Sequence, residues 1–290
     1  MDHHQYYPWT YLLPDGRLFI AGPHDPPHRF TIEPIGGLET FPTIAGNRST
    51  GGEKGTSVLL PLRPPDYAPR VLVLGGNTVP ARNTAELIDL SEPMPAWQSL
   101  PNLNQERAEQ VNSVLLPDGR VLVVGGANAV PGGGPVELLD SESPMAGFTL
   151  GPVMTYHRGY HSAAILLADG SVLVGGDPNS SVFERYRPGY FDQPRPVIDN
   201  APANVAYGGT FGVDSADADD ILTVHLLFPG AVTHGFNMTQ RVVECSFSAG
   251  AGSLQVDAPP DGNVAPPGHY LLFIINDQRV PSEGRWITIG

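Results

Sequence analysis

The chain has 290 residues, 16 basic against 30 acidic side chains, and a formal net charge of −14. That acidity argues against a nucleic-acid partner or an anionic membrane surface, and no apolar run is long enough to span a bilayer. Gly 34 and Pro 31 in a chain that is 41% hydrophobic mean frequent turns between short apolar runs, so the expected class is all-β. The length suits one large or two ordinary domains.

Met1 is followed by Asp2, His3 and His4, not by a basic and then apolar leader. The chain enters a repeat at once, which reads as a chain lacking its natural N-terminus. The first unit runs Leu12-Leu13-Pro14-Asp15-Gly16-Arg17 to Ala21-Gly22. The second keeps only the ending, Val71-Leu72-Val73-Leu74-Gly75-Gly76, with an insert over 62–69 in place of the turn. The third runs Leu115-Leu116-Pro117-Asp118-Gly119-Arg120 to Gly125-Gly126, and the fourth Leu166-Leu167-Ala168-Asp169-Gly170-Ser171 to Gly175-Gly176. Asp-Gly predicts a tight hairpin turn with positive φ at both central residues. The Gly-Gly pairs begin at 75, 125 and 175, a period of 50, which is the kelch signature of one propeller blade per repeat.

The pattern stops near Pro188, Pro194 and Pro196. Residues 1–189 are therefore assigned to an incomplete kelch-type β-propeller of about four blades, an arc that would leave two apolar blade faces in water. Residues 190–290 are assigned to an Ig-like β-sandwich of short alternating strands, among them Leu222 to Leu226, Arg241 to Phe247 and Tyr270 to Ile275. Cys245 is the only cysteine, so no internal disulfide forms and cysteine usage leaves the compartment open. It lies in the alternation Val243, Cys245, Phe247, on the apolar face of a strand.

Four stretches, in this order, resemble the galactose oxidase and glyoxal oxidase family of copper radical oxidases. They are Tyr7-Pro8 before the first hairpin; Arg158-Gly159-Tyr160-His161-Ser162 before the last; Val232-Thr233-His234 followed by Asn237, Gln240 and Arg241; and Pro267-Gly268-His269-Tyr270 running to Val280-Pro281-Ser282. The resemblance covers essentially the whole chain and implies its C-terminal portion: part of a seven-bladed kelch propeller followed by an Ig-like (E-set) domain. It implies a Cu2+ site with Tyr160 as axial tyrosine and catalytic proton acceptor, and with His161 and His234 as the two histidine ligands. His234 would stand at the tip of a loop that the Ig-like domain sends up the propeller axis. Imidazole and phenolate donors suit tetragonal Cu(II), and a weakly bound tyrosine can take the substrate's proton.

Adjacent residues of a regular strand point to opposite faces, so Tyr160 and His161 require irregular backbone, which Gly159 permits. Register adds two residues. His161 lies seven before Ala168, Tyr7 seven before Pro14 and Gln110 seven before Pro117, so Tyr7 and Gln110 are expected to line the same pocket as substrate contacts.

The resemblance further implies oxidation of a primary alcohol, aldehyde or carbohydrate by O2 to give H2O2, a secreted location, and a monomer in full-length form. The family's Tyr-Cys thioether radical cofactor falls before the first residue here, so this chain alone is expected to be inactive or very weak. A non-catalytic kelch module that binds glycan or protein, and a relative that has lost copper, remain open beside the oxidase. Among the other histidines, His157 and His161 have helical metal-site spacing but lie in β-structure, and Pro26 and Pro27 forbid a helix between His24 and His28. Asn47, Asn179 and Asn237 open glycosylation triplets.

Overall fold

The computed structural model describes residues 7–22, 28–30, 38–40, 54–76, 82–126, 132–178 and 180–290. Asn47 and Asn179, like His3, His4 and His24, lie outside the described residues.

The repeat begins with its turn. Gly16 N–H donates to the Leu13 carbonyl at 2.9 Å and Leu13 N–H to the Arg17 carbonyl at 2.8 Å, and the same pair recurs at Leu116 and Leu167. Of the Asp-Gly residues only the glycines have positive φ: 82° at Gly16, 81° at Gly119 and 88° at Gly170. The loop therefore has three residues, with glycine in the left-handed bulge position, and is not the two-residue turn that Asp-Gly suggests in isolation. Pro14 and Pro117 pre-set the second turn position. Asp15, Asp118 and Asp169 each accept from the N–H two residues on, at 3.0, 3.2 and 3.0 Å.

Four antiparallel sheets follow in sequence order, three opened by such a hairpin and the second by the longer insert over 62–69. The first holds β1 (Thr10–Leu12), β2 (Leu18–Ile20), β3 (His28–Phe30) and β4 (Leu38–Thr40). The second holds β5 (Thr56–Leu59), β6 (Arg70–Leu74), β7 (Ala85–Asp89) and β8 (Trp97–Ser99). The third holds β9 (Asn112–Leu115), β10 (Val121–Val124), β11 (Gly134–Leu139) and β12 (Phe148–Met154). The fourth holds three strands: β13 (Ala163–Leu166), β14 (Val172–Gly175) and β15 (Glu184–Tyr186). The sheets form an arc of blades that does not close into a ring among the described residues.

The Gly-Gly pairs let consecutive blades touch. A Cβ on Gly75 would lie 2.7 Å from the Arg107 carbonyl oxygen, and one on Gly125 would lie 2.8 Å from that of Arg158. Gly76 and Gly126 N–H donate to those same carbonyls, both at 2.7 Å. Arg107 and Arg158 then turn inward. Arg107, fully buried, donates to Glu137 Oε1 from Nε and Nη2 at 3.1 and 3.0 Å and to the Gly125 carbonyl at 2.6 Å. Arg158 repeats the pattern with Glu184 at 3.0 Å and the Gly176 carbonyl at 2.9 Å.

The second half of the chain forms β16 (Asn204–Val205), β17 (Thr210–Asp214), β18 (Ile221–Phe228), a hairpin of β19 (Val232–Thr233) and β20 (Phe236–Asn237), then β21 (Arg241–Cys245), β22 (Phe247–Gly250), β23 (Ser253–Asp257), β24 (Gly268–Asn276) and β25 (Arg285–Ile289). One sheet orders β16-β25-β24-β18-β21 and the facing sheet orders β17-β23-β22. The expected alternation does not hold for the central strands. Val224 to Leu227 and Tyr270 to Ile275 are buried without interruption. Val224, Leu226, Leu272 and Ile274 join Leu254 and Val256 in the sandwich core. Leu227, Val242, Leu271 and Phe273 point the other way and pack with Leu60, Leu115 and Val121 of the blades. A sheet covered on both faces reads as a continuous apolar run, and here the second cover is the propeller arc. Cys245 is on the core side, 3% exposed, and burial pushes its thiol up to about 12.

The blade turns meet the sandwich directly. His225 Nδ1 donates to the Pro117 carbonyl at 2.7 Å, Gly284 N–H to the Ala168 carbonyl at 2.7 Å, and Arg241 reaches the Leu12 carbonyl. Arg279 clasps Asp140 of blade three at 2.6 Å, and that hydrogen bond holds the Asp140 carboxyl below the usual carboxylate range. A carboxyl depressed on folding stabilises above its unfolded pKa of about 3.9 and loses that contribution as pH falls through the folded value. Thermal unfolding of Asp140→Asn is therefore expected to fall less steeply than wild type as pH drops from about 5 to about 3. The pair is one-third exposed, so the difference is small, and equal slopes would remove Asp140 from the interface balance.

Candidate metal centre

With the turns facing the sandwich, the opposite ends of the inner strands form a separate mouth. Two residues before β9 and β13 the backbone leaves strand geometry: φ is 35° at Gln110 and 60° at His161, and 43° at Tyr7 before β1. Three residues equated by counting alone thus share one left-handed conformation, which is uncommon for side chains of this size. The second blade completes the set. Leu60 N–H pairs with the Arg70 carbonyl as Leu116 N–H does with that of Arg120, which makes Lys54 the equivalent position. There the left-handed residue is Gly55, φ 80°, and Lys54 Nζ pairs with Glu109 of the next blade at 3.5 Å. The insert over 62–69 hid this register in the sequence.

The β19–β20 hairpin enters this mouth. Its base is closed by Asn237 Oδ1, which accepts from Ala231 N–H at 2.9 Å. Asn237 is 4% exposed, which sets it against glycosylation. Gln240 fastens the hairpin to blade three as a strand edge would, accepting from Leu115 N–H at 3.0 Å and donating to the Ser113 carbonyl at 2.9 Å. At the tip, Thr56 Oγ1 of blade two donates to the Gly235 carbonyl at 2.7 Å. Phe236 sits edge-on to Tyr11, ring centroids 5.5 Å apart.

His234, φ 52°, precedes that glycine. Its ring meets His161 at 5.2 Å between centroids with planes at 90°, and Tyr160 stacks on His161 at 3.8 Å. Tyr7 stacks on His234 at 3.6 Å, its plane turned 15°. The structure therefore brings together Tyr7, Tyr160, His161 and His234 from three parts of the chain. Gln110 comes from beneath: it is 1% exposed, and its Oε1 accepts from the His161 N–H. A mostly apolar cavity of about 390 Å³, lined by Tyr7, Pro8, Thr10, Thr233, Phe236 and Met238, opens beside the hairpin.

Residues to which the sequence assigned no role at the site hold this geometry. Thr233 Oγ1 is 2.7 Å from His234 Nδ1. If Nδ1–H donates to that oxygen, Nε2 keeps its lone pair, which is the arrangement of a metal-binding imidazole. Asp177 Oδ2 accepts from Gly159 N–H at 3.0 Å and lies 2.9 Å from His157 Nδ1, so His157 is engaged away from the His161 ring. Asp177 has φ 114°, strain of the kind retained where a site needs it. A Cβ on Gly176 would lie 2.4 Å from the His161 carbonyl oxygen. Arg158 could have been found from sequence, because it precedes His161 by the same three residues as Arg107 precedes Gln110.

Two imidazoles on one metal at about 2.0–2.1 Å have centroids roughly 4.5 Å apart at a right angle and about 6 Å apart when opposed. The 5.2 Å observed lies within that range. Among the described residues there is no cluster of three or more His, Cys, Asp and Glu side chains able to hold a metal. The phenols beside the two imidazoles are those of Tyr160 and Tyr7, and imidazole nitrogen with an oxygen donor is a set that suits copper, iron or zinc better than magnesium.

A family model described as "Glyoxal oxidase N-terminus" matches residues 1–192. The chain belongs to the glyoxal oxidase family. A second model, "Galactose oxidase-like, Early set domain", matches residues 195–289 and gives the sandwich its family identity. An aldehyde oxidase GLOX of Vitis pseudoreticulata is 30% identical over 332 residues, covering 98% of this chain and 62% of the relative. Galactose oxidase of Gibberella zeae is 26% identical, with 97% of this chain and 44% of the relative covered. A solved fungal alcohol oxidase in complex with copper superposes with a TM-score of 0.81 at 26% identity, covering 97% of this chain and 63% of that one. This glyoxal oxidase relative thus spans less than two-thirds of the length of the proteins it matches. No helix is long and apolar enough to cross a membrane among the described residues.

Proposed function

We propose that this chain carries the copper site of an oxidase that converts a primary alcohol or aldehyde with O2 and releases H2O2. The reading rests on one observation: two imidazoles from separate parts of the fold, His161 and His234, meet at 5.2 Å beside the Tyr160 ring. Copper, when bound, would supply a centre that takes an electron from substrate and passes reducing equivalents to O2.

The chain's own residues do the rest. Tyr160, His161 and His234 would hold the metal. With Nδ1–H donating to Thr233 Oγ1, the His234 ring would be fixed with Nε2 free to ligate the metal. Tyr160 is 44% exposed, which leaves a small substrate room to approach it, and its phenol is suited to accept the hydroxyl proton. Tyr7, 43% exposed and stacked on His234, forms the substrate wall beside the apolar cavity. Overall, RCH2OH and O2 give RCHO and H2O2, which requires a second one-electron carrier besides copper.

The family's Tyr-Cys thioether is the natural candidate for that carrier, and Cys245 does not suit it. Its thiol is buried in the sandwich core and held protonated. A thioether cysteine would thus have to come from outside these residues, and catalysis is proposed for the longer protein. An extracellular location and a monomeric state accompany the family resemblance.

The test is His234→Ala. Wild type is expected to bind one Cu(II) with a tetragonal EPR spectrum, and the variant to lose affinity by at least about 100-fold, since a first ligand should cost more than an outer partner. Equal copper binding in both proteins would defeat the proposal, and saturable glycan binding indifferent to a chelator would replace it with a binding module.

A further inference from the structure

We infer that Gln110 is a positioning residue that sets the spacing of the two imidazoles, its side chain holding His161 and its backbone carrying the His234 hairpin. This rests on the reading of His161 and His234 as one metal site.

Register alone makes Gln110 the counterpart of His161 and Tyr7, yet its side chain does not share their exposure. Tyr7 is 43% exposed and Gln110 is 1% exposed. The carboxamide oxygen accepts from the His161 main-chain N–H. That contact fixes the amide's orientation, because the nitrogen end cannot face an N–H donor. Nε2 is then buried without a partner among the described residues. A buried, unpaired donor is a cost that an apolar side chain of the same shape would avoid, so the acceptor end must supply something packing alone does not. The backbone is also held in an unfavourable conformation, φ 35°.

The other half of the argument lies in the backbone. A Cβ on Gly235 would come within 2.9 Å of Gln110 Cα and 3.1 Å of its carbonyl carbon, so the hairpin tip rests directly on Gln110. The Gln110 carbonyl meanwhile accepts from Asn112 Nδ2 at 3.2 Å and Ser162 Oγ at 3.4 Å, which ties it to the residue after His161. One residue thus touches both segments that carry imidazoles. A shift of Gln110 moves His161 through a hydrogen bond and His234 through hard contact, without Gln110 itself reaching substrate or metal.

Two variants test this. Gln110→Met keeps the length and removes the acceptor, whereas Gln110→Glu keeps an acceptor oxygen. In the Met variant, hydrogen exchange at the His161 amide of the metal-free chain should lose protection, and Cu(II) affinity should fall roughly 10–100-fold, the usual cost of an outer partner. The Glu variant should restore both protection and affinity, and its Cu(II) EPR spectrum should match wild type. A Met variant with unchanged protection and affinity overturns the inference, as does a folded Glu variant that loses both as completely as Met. Should wild type bind no Cu(II) that His234→Ala can abolish, the metal reading fails. The amide exchange needs no metal, and it still decides whether Gln110 holds His161.

Discussion

Glu137→Ala is expected to lower stability by about 3–5 kcal/mol, the penalty for leaving a buried charge without its partner. Both side chains of the Arg107–Glu137 pair are fully buried. Burial already pulls the Arg107 guanidinium down from its usual range while Glu137 opposes the shift. Glu137 also accepts from Asn104 N–H at 2.7 Å, Asn104 Nδ2 at 3.0 Å and Gln105 N–H at 3.3 Å. Truncation removes those acceptor contacts and, above all, leaves the buried guanidinium without its counter-charge. The midpoint of urea unfolding should fall in proportion, and a loss under about 1 kcal/mol would show that water reaches the pair. Removing both charges, as Arg107→Leu with Glu137→Leu, should cost less than the two single changes summed, because no charge is left alone. The homologous Glu184→Ala should cost less than Glu137→Ala, since Glu184 is 20% exposed.

The same pair shows what the sequence could and could not reveal. The Gly-Gly period of 50 was legible because it answers a local demand: a left-handed backbone at one or both glycines and, at Gly75 and Gly125, room for the next blade's arginine carbonyl. The register of Tyr7, Gln110 and His161 was legible by counting, and their shared left-handed backbone is its structural cause. The ion pairs went unread, because Glu137 and Glu184 lie on strands whose connecting loops differ in length, so the glutamates do not keep the spacing of the glycines. Asp-Gly misled about its turn because loop length is set by the flanking hydrogen bonds and not by the dipeptide. The alternation expected of Leu222 to Leu226 and Tyr270 to Ile275 failed for a tertiary reason. A local pattern cannot announce that a second domain covers the outer face. His234 is the extreme case: only the resemblance pointed to it, since its place depends on Thr56 and Gln240 contacts that bridge distant parts of the chain.

Gly235→Ala concentrates that dependence in one atom and should separate the two imidazoles. The added Cβ would lie 2.9 Å from Gln110 Cα and 3.0 Å from the Val111 carbonyl oxygen. Both are backbone atoms of blade three and cannot swing aside as a side chain could. At φ 76° the alanine is also in a conformation that costs about 1–3 kcal/mol for a residue with a Cβ. The hairpin relieves both by lifting from the mouth. That motion breaks the Thr56 contact and carries His234 away from His161. Cu(II) affinity should then fall by at least the roughly 10–100-fold typical of outer-sphere losses. The Asn237 contact at the hairpin base and the Gln240 pairing with blade three lie beyond the tip, so the sandwich should stay docked. Thermal unfolding of the metal-free chain should accordingly drop by only a few degrees. Copper loss with a modest thermal shift is the signature of a displaced ligand on an intact scaffold. Undiminished affinity in Gly235→Ala would mean that the hairpin tip does not set the position of a metal ligand.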